Sequence, residues 1–298
     1  MFSLVILAAG LGSRYGGIKQ VKGFGLHNEK ILEYSIYDAI KVGFTEVIFI
    51  IRKEHHQIFK EEFESKISKH IQVKYAFQEI DSFLPANFDT KERKKPWGTA
   101  HALLTCKDII KNPFAVINAD DLYGTDSFIK AIDFLKPAQS KMCSLIGYEI
   151  NKTLSSHGTV SRGVCDFDVN GNLIKVTERL KIYRRKSDNQ IVYFDNENEY
   201  NLAEDTIVSM NFFCFDTSIF KYIELGFNNF LQTIKDRLKS EYYLPLVVDE
   251  LINNYNYTCK VIQSNSQWYG VTYIEDDSLI KEGIKNLIDN KVYPEKLW

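Results

Sequence analysis

An apolar run, Phe2 to Leu7, leads directly into a turn that carries Gly10, Gly12, Gly16 and Gly17. A short apolar run of this kind suits a strand buried on both faces, as in a parallel sheet. Glycines then let the backbone turn sharply and approach a ligand closely. Backbone N–H groups in such a loop gather anions. Arg14 and Lys19 stand in the same segment, LAAGLGSRYGGIKQ. A guanidinium forks onto phosphate oxygens and an ammonium adds a compact charge, so the segment reads as a cradle for a polyphosphate. A dinucleotide-binding turn also follows a first strand. That fingerprint wants a third glycine three residues after the second, where this chain has Tyr15, and it gives Arg14 and Lys19 no role.

The rest of the chain alternates. Ile31, Leu32, Ile36, Ala39 and Ile40 recur at helical spacing, Gly43 marks a stop, and TEVIFII from Thr45 is β-branched. A helix is predicted through Glu54 to Lys69, a strand at Ile71 to Phe77, a helix at Gly98 to Cys106 and a strand at Pro113 to Ala119. Such alternation implies a parallel sheet, with ligands bound beyond the carboxyl ends of its strands. There the first loop, Gln78 and Asp120 would emerge together. The second half is richer in strands, predicted at Met142 to Ile150, Gly158 to Asp168, Leu173 to Arg179 and Thr206 to Phe215, with a hairpin at Asn170-Gly171. Residues 180–204, dense in charge, read as an excursion over the site. The chain, 298 residues long, has no Pro-, Gly- or Ser-rich linker and no repeat. One domain over 1–298 is therefore expected, with halves at about 1–140 and 141–298.

A net charge of −2 gives no general attraction to nucleic acid or to an anionic membrane. The basic patch KERKKP, Lys91 to Pro96, reads as a solvated loop. Five cysteines, far apart and without CxxC spacing, look like reduced core residues. With no leader-like segment and no apolar run of membrane-spanning length, a cytoplasmic location without a membrane partner is expected. The sequence is compatible with a homo-oligomer.

The first loop resembles the signature of the nucleotidyltransferases that join a nucleoside triphosphate to a sugar 1-phosphate. In that family the pattern is L-A-A/G-G-x-G-x-R with a lysine a few residues on. Later segments agree in order: FQEI at Phe77, WGTAHALL at Trp97, NADDLYG at Asn118, HGTVSRG at His157, VTER at Val176, VSMNFFCF at Val208 and WYGVTY at Trp268. The resemblance implies a Rossmann-like three-layer α/β/α fold, its mixed sheet mostly parallel, with a β-rich extension on the acceptor side. It implies that Arg14 and Lys19 are catalytic and that Leu7, Ala8, Ala9, Gly10 and Gly12 bind nucleotide. Gln78 would read the base, as an amide can at a pyrimidine edge, with Gly98 and Thr99 supporting it. For Thr99 a role at the helix N-terminus competes, and His101 is expected to be a packed residue. Gly158, Glu178, Asn211 and Thr272 would contact the sugar, and Arg179 or Lys181 the acceptor phosphate.

In the reaction so implied, an acceptor phosphate oxygen, already ionised, attacks the α-phosphorus in line while pyrophosphate leaves. Catalysis then reduces to alignment and charge neutralisation. Asp120 and Asp121 end an apolar strand where a Mg²⁺ ion would meet the triphosphate, and Asp120 matches the family's acidic motif. Capping of a helix near Thr125 is the competing role for both. One element departs from the pattern: Trp268 is followed by Tyr269, Gly270, Val271 and Thr272, without the second metal-binding Asp or Asn of many members. Asp276 and Asp277 are substitutes or helix caps. UTP is expected ahead of dTTP, because Gln78 with the Gly98 to Ala102 run looks more like uridylyltransferases. Two other readings remain. One is a CTP-dependent transfer to an alcohol phosphate such as phosphocholine, with Tyr183, Tyr242, Tyr243 and Trp268 as a cation-binding box. The other is a catalytically silent nucleotide-sugar sensor.

Overall fold

Strand β1 (Ser3–Leu7) lies between β2 (Glu46–Ile51) and β4 (Phe114–Asn118), and β3 (Gln72–Phe77) flanks β2, all parallel. This computed structural model describes residues 1–10, 22–137, 140–155, 157–196, 198–271 and 274–298. The alternation of strand side chains separates two cores. Leu4, Ile6, Val47, Phe49, Ala115 and Ile117 face one, while Val5, Ile48, Ile50, Phe114 and Val116 face the other. Helices α1 (Ile31–Val42) and α5 (Thr125–Leu135) cover the first core. The short helices α2 (His56–Phe59) and α3 (Ser65–Ile67), joined by a π-helical turn, pack there too. Helices α4 (Thr99–Leu104), α6 (Ile219–Thr233) and α7 (Leu244–Tyr255) cover the second. The expected three layers are therefore present. Gly43 ends α1 with φ of 107° and its N–H on Ala39 O, because a left-handed residue costs glycine nothing there.

The second half is mixed. Strand β6 (Met142–Glu149) runs antiparallel to β11 (Ile207–Phe215) and parallel to β12 (Thr258–Gln263). Strands β7 (Val160–Phe167), β8 (Leu173–Arg184), β9 (Ile191–Asp195) and β10 (Asn198–Leu202) continue as an antiparallel meander. Strand β11 belongs to both halves. Phe213 to Phe215 pair with β4, whereas Val208 and Ser209 pair with β7. Between them the register shifts, and Asn211 adopts φ of 60°. The Asn170-Gly171 hairpin is as expected, with Gly171 at φ of 74° and the Asp168 carboxylate accepting the N–H groups of Asn170 and Asn172.

Two expectations change. Residues 180–204 are not an excursion: β8 runs on to Arg184 and β9 and β10 extend the sheet, with Ile182, Ile191, Val192 and Tyr193 buried. Charged residues on the open face hid that alternation. The basic patch is not simply solvated either. Arg93 is buried, stacks 3.5 Å from the centroid of the Trp97 ring, and donates to Arg237 O, Pro96 O and Ser240 O. It ties the 91–96 loop to the segment before α7. All five cysteines are buried thiols. Among the described residues no helix is long and apolar enough to cross a membrane.

Two short strands, β5 (Asp121–Leu122) and β13 (Tyr269–Gly270), pair beside the main sheet. Helix α8 (Asp277–Asp289) packs Ile280, Ile284 and Ile288 against Ile31 and Tyr34 of α1. Asp38 of α1 anchors this layer, accepting from Tyr293 Oη at 2.6 Å and Thr125 Oγ1 at 2.7 Å. Burial pushes its carboxyl up to about 6 in spite of those two bonds. The folded chain thus holds this proton more tightly than the unfolded chain does. The resulting stabilisation is whole below about pH 4 and is lost as pH rises through about 6. Relative to Asp38→Asn, the parent chain should lose about 3 kcal/mol of stability between pH 4 and pH 7. Denaturant unfolding of both chains across that range checks the slope, and a flat difference would contradict it.

Candidate active site at the carboxyl edge of the sheet

Ala8 N–H donates to Ile50 O at 2.9 Å, Ala119 N–H to Leu7 O at 3.2 Å and Gln78 N–H to Ile51 O at 2.9 Å. Ala8, Gln78 and Asp120 therefore leave one edge of the sheet, where the parallel strands end. Leu7 is half-buried, Ala8 and Ala9 are buried, and Gly10 is exposed with nothing near the place a Cβ would take. Gly12, Arg14 and Lys19 lie outside the described residues, as does Thr272. Lys22, just past the loop, forms an ion pair with Asp277, and Asp276 accepts from Ser155 Oγ at 2.8 Å and His157 Nδ1 at 3.0 Å. Neither carboxylate makes a side-chain cap at the start of α8; both tie neighbouring segments to it.

Gln78, buried at the end of β3, donates through Nε2 to Gly98 O at 3.0 Å and meets His101 Nδ1 at 3.1 Å. His101 Nε2 lies 2.9 Å from Ser82 O. His101 is fully buried, and burial pushes its imidazole down to about 4, with the Arg93 charge adding to the shift and the bond to Ser82 O opposing it. Thus the expectation of a packed histidine is met, but its polar edge faces the Gln78 amide. Gly98 has φ of 98°, and an added Cβ would lie 2.5 Å from Tyr242 O. The close approach that needs glycine here is that of Tyr242, whose N–H donates to Trp97 O at 2.7 Å and whose O accepts from Ala100 N–H at 3.0 Å. Thr99 Oγ1 accepts the Leu244 N–H at 2.9 Å. Its hydroxyl joins the starts of α4 and α7 rather than capping its own helix.

Asp120 and Asp121 differ in setting. Asp120 is half-buried at the end of β4, and its carbonyl accepts from Val271 N–H at 3.2 Å. Asp121 is buried, accepting from Asn118 Nδ2 at 2.9 Å and Tyr123 Oη at 3.1 Å. Burial and the Asp120 charge push the Asp121 carboxyl up to about 7. Helix α5 begins at Gly124 without a side-chain cap, so Asp121 does not cap it. A half-buried carboxylate at this edge has the donor chemistry that fits an ion that takes one or two protein carboxylates and completes its shell with phosphate and water. Among the described residues no group of three or more His, Cys, Asp or Glu side chains forms a protein-only metal cage.

Across β8, β7 and β11, Glu178 faces Gly163 and Gly163 faces Ser209, which stands two residues before the Asn211 kink. Asn211 N–H donates to Ser209 Oγ at 3.2 Å. Burial raises the Glu178 carboxyl, and Arg162 opposes the shift. Gly158 lies in the turn before β7, beside the His157 that meets Asp276. Arg179 and Lys181 are not drawn in. Arg179 pairs with Asp195 at 2.9 Å over the Tyr193 ring, and Lys181 is exposed. The buried cation on this side is Arg162, which stacks 4.8 Å from the centroid of Trp268 and donates to Ser161 O. Sequence reasoning missed it; its signal was an arginine between the small residues Ser161 and Gly163 in β7. The four aromatic residues considered for a cation box pack separately. Tyr183 stacks on Phe194, Tyr242 packs with Phe227 and Phe230, Tyr243 bonds Glu241, and Trp268 meets Arg162.

Solved structures share this architecture. A protein from Bacillus anthracis assigned as a glucose-1-phosphate thymidylyltransferase superposes with a TM-score of 0.65 at 16% identity, covering 96% of both chains. The inositol-1-phosphate CTP transferase of T. maritima gives 0.61 at 10% identity, again covering 96% of each. HddC from Yersinia pseudotuberculosis gives 0.58 at 15% identity over 95% of this chain and 99% of that one. At such identities the likeness speaks for the fold alone. Among curated protein sequences there is no match. The family described as Nucleotidyl transferase, however, matches residues 3–269, from the first residue of β1 to the start of β13 and so through Gln78, Gly98, Asp120, Glu178 and Asn211. The chain belongs to the nucleotidyl transferase family.

Proposed function

We propose that this chain transfers a nucleotidyl group from a pyrimidine nucleoside triphosphate, UTP ahead of dTTP, to a sugar 1-phosphate with Mg²⁺, releasing pyrophosphate. The observation that carries the reading is Gln78: its amide N–H groups are engaged at Gly98 O and His101, and its oxygen has no partner among the described residues. An acceptor oxygen at that edge suits the imide N–H of uracil or thymine, whereas ring N3 of cytosine carries no proton there. Uracil and thymine differ by one methyl group, so the preference between them is modest.

In this reading Arg14 and Lys19 hold the triphosphate over the loop of Leu7, Ala8, Ala9, Gly10 and Gly12. Asp120 holds Mg²⁺, which neutralises phosphate charge. Gly158, Glu178, Asn211 and Thr272 bound the sugar; a carboxylate accepts from two hydroxyls, and a carboxamide both donates and accepts. The chain is one domain, about 1–140 taking nucleotide and about 141–298 the acceptor, working in the cytoplasm. The test is pyrophosphate release from UTP, dTTP, CTP, ATP and GTP against a panel of sugar 1-phosphates and phosphocholine with Mg²⁺. Turnover with UTP or dTTP and a sugar 1-phosphate is expected. Turnover confined to CTP and phosphocholine, or nucleotide binding without turnover on any acceptor, would overturn the reading.

A further inference from the structure

Gln78 carries two chemically opposite faces on one amide, and a half-turn about its last side-chain bond would exchange them. What it presents to a base therefore depends on what holds it. Gly98 O can only accept, so the amide nitrogen must face it, at 3.0 Å. Ser82 O can likewise only accept, so His101 carries its proton on Nε2, 2.9 Å away. His101 Nδ1 is then a bare acceptor, and at 3.1 Å it takes the second amide proton of Gln78. Two backbone carbonyls, one on each side, thus fix the ring tautomer and the amide orientation together. Nothing in this chain of bonds lets the amide turn without setting two acceptors against each other, at Gly98 O and at His101 Nδ1.

We propose that His101 is a positioning residue for base choice: its Nδ1 holds the Gln78 amide with the oxygen outward, so that the site accepts a base that donates at that point and disfavours one that does not. This rests on the reading of Gln78 as the residue that meets the base. The effect reaches the base only through Gln78, since His101 is fully buried. It also reaches into the loop after β3, because the ring that holds the amide is itself held by Ser82. Trp97 pins the same loop through Nε1 on Ile80 O at 2.7 Å.

The test compares His101→Asn with His101→Leu. An asparagine oxygen occupies nearly the place of the imidazole Nδ1, whereas leucine offers no acceptor; both lose the bond to Ser82 O, so that loss cancels. For His101→Leu the ratio of kcat/KM with UTP to that with CTP should fall roughly tenfold, mainly through KM for the nucleotide, while KM for the sugar 1-phosphate stays unchanged. His101→Asn should keep the ratio within about threefold of the parent. Equal ratios for the two variants would overturn the proposal. Gln78→Ala separates the two ideas: if it leaves base choice unchanged, the reading of Gln78 falls and the proposal with it. If it alters base choice while the histidine variants behave alike, only the role of His101 falls. Imidazole ¹⁵N shifts of the unaltered protein give a measurement independent of folding of the variants. A protonated Nε2 and bare Nδ1 at neutral pH are expected, and the opposite tautomer would overturn the proposal.

Discussion

Asp120→Asn should lower Mg²⁺-dependent turnover by on the order of 100-fold while the variant stays folded. The asparagine keeps the size of the side chain and one oxygen but removes the charge that would hold a divalent cation against a triphosphate. The two carboxylates of the NADD run are not equivalent. Asp121 is turned inward to Asn118 and Tyr123, and the one Tyr123 hydroxyl proton is shared between Asp121 and Met210 O, 2.8 Å away, which fastens the residue after β5 to β11. Asp120 is half-buried at the edge itself. Initial rates over a Mg²⁺ series, with unfolding curves for the same preparations, check both parts. A variant with the full rate at an unchanged Mg²⁺ half-saturation would remove Asp120 from the metal site.

Gly98→Ala should destabilise the fold by about 2–4 kcal/mol. Two costs add. The residue sits at φ of 98°, where a side chain is strained, and its new Cβ would lie 2.5 Å from a backbone oxygen, Tyr242 O. Backbone does not swing aside as the end of a long side chain does, and this backbone is bonded on both sides of the contact, to Trp97 O and from Ala100 N–H. Relief would part α4 from the start of α7 and loosen Gly98 O, the acceptor that holds Gln78. The variant should therefore also bind nucleotide more weakly. Denaturant unfolding measures the first effect and nucleotide titration the second; parent-like stability would show that residues 97–100 shift freely away from Tyr242.

The parallel half was legible because each element carried its own local signal. The apolar run before the glycine loop, the stop at Gly43 and the β-branched TEVIFII each determine their structure from neighbours in sequence. Gln78 and Asp120 were legible for the same reason, as the residues that follow buried strands. What escaped was decided by residues far apart in the chain. Arg93 looked solvated because its partners, Arg237 O and Ser240 O, lie more than a hundred residues away. The reason for Gly98 is Tyr242, and the polar work of His101 depends on Gln78 and Ser82, none of which a helical periodicity reveals. Strands β9 and β10 were hidden by composition: their exposed faces carry the charge that reads as loop. In the second half, pairing across β8, β7 and β11 sets Glu178 in line with Gly163 and Ser209, while Arg179 pairs with Asp195 of β9, a distinction that spacing along one strand does not contain.

The double membership of β11 bears on how such a chain tolerates change in length. One residue gained or lost between Ser209 and Phe213 would shift its pairing with β6 and with β4 or β7 at once, and alternate side chains would exchange faces in both cores. Strand β10 lies at the outer margin of the sheet, paired with β9 alone among the described residues. Extra residues there would lengthen a surface hairpin and leave the edge that holds Gln78 and Asp120 as it is. Insertions should therefore accumulate at that margin and be excluded from the middle of β11, although the two segments are close in sequence.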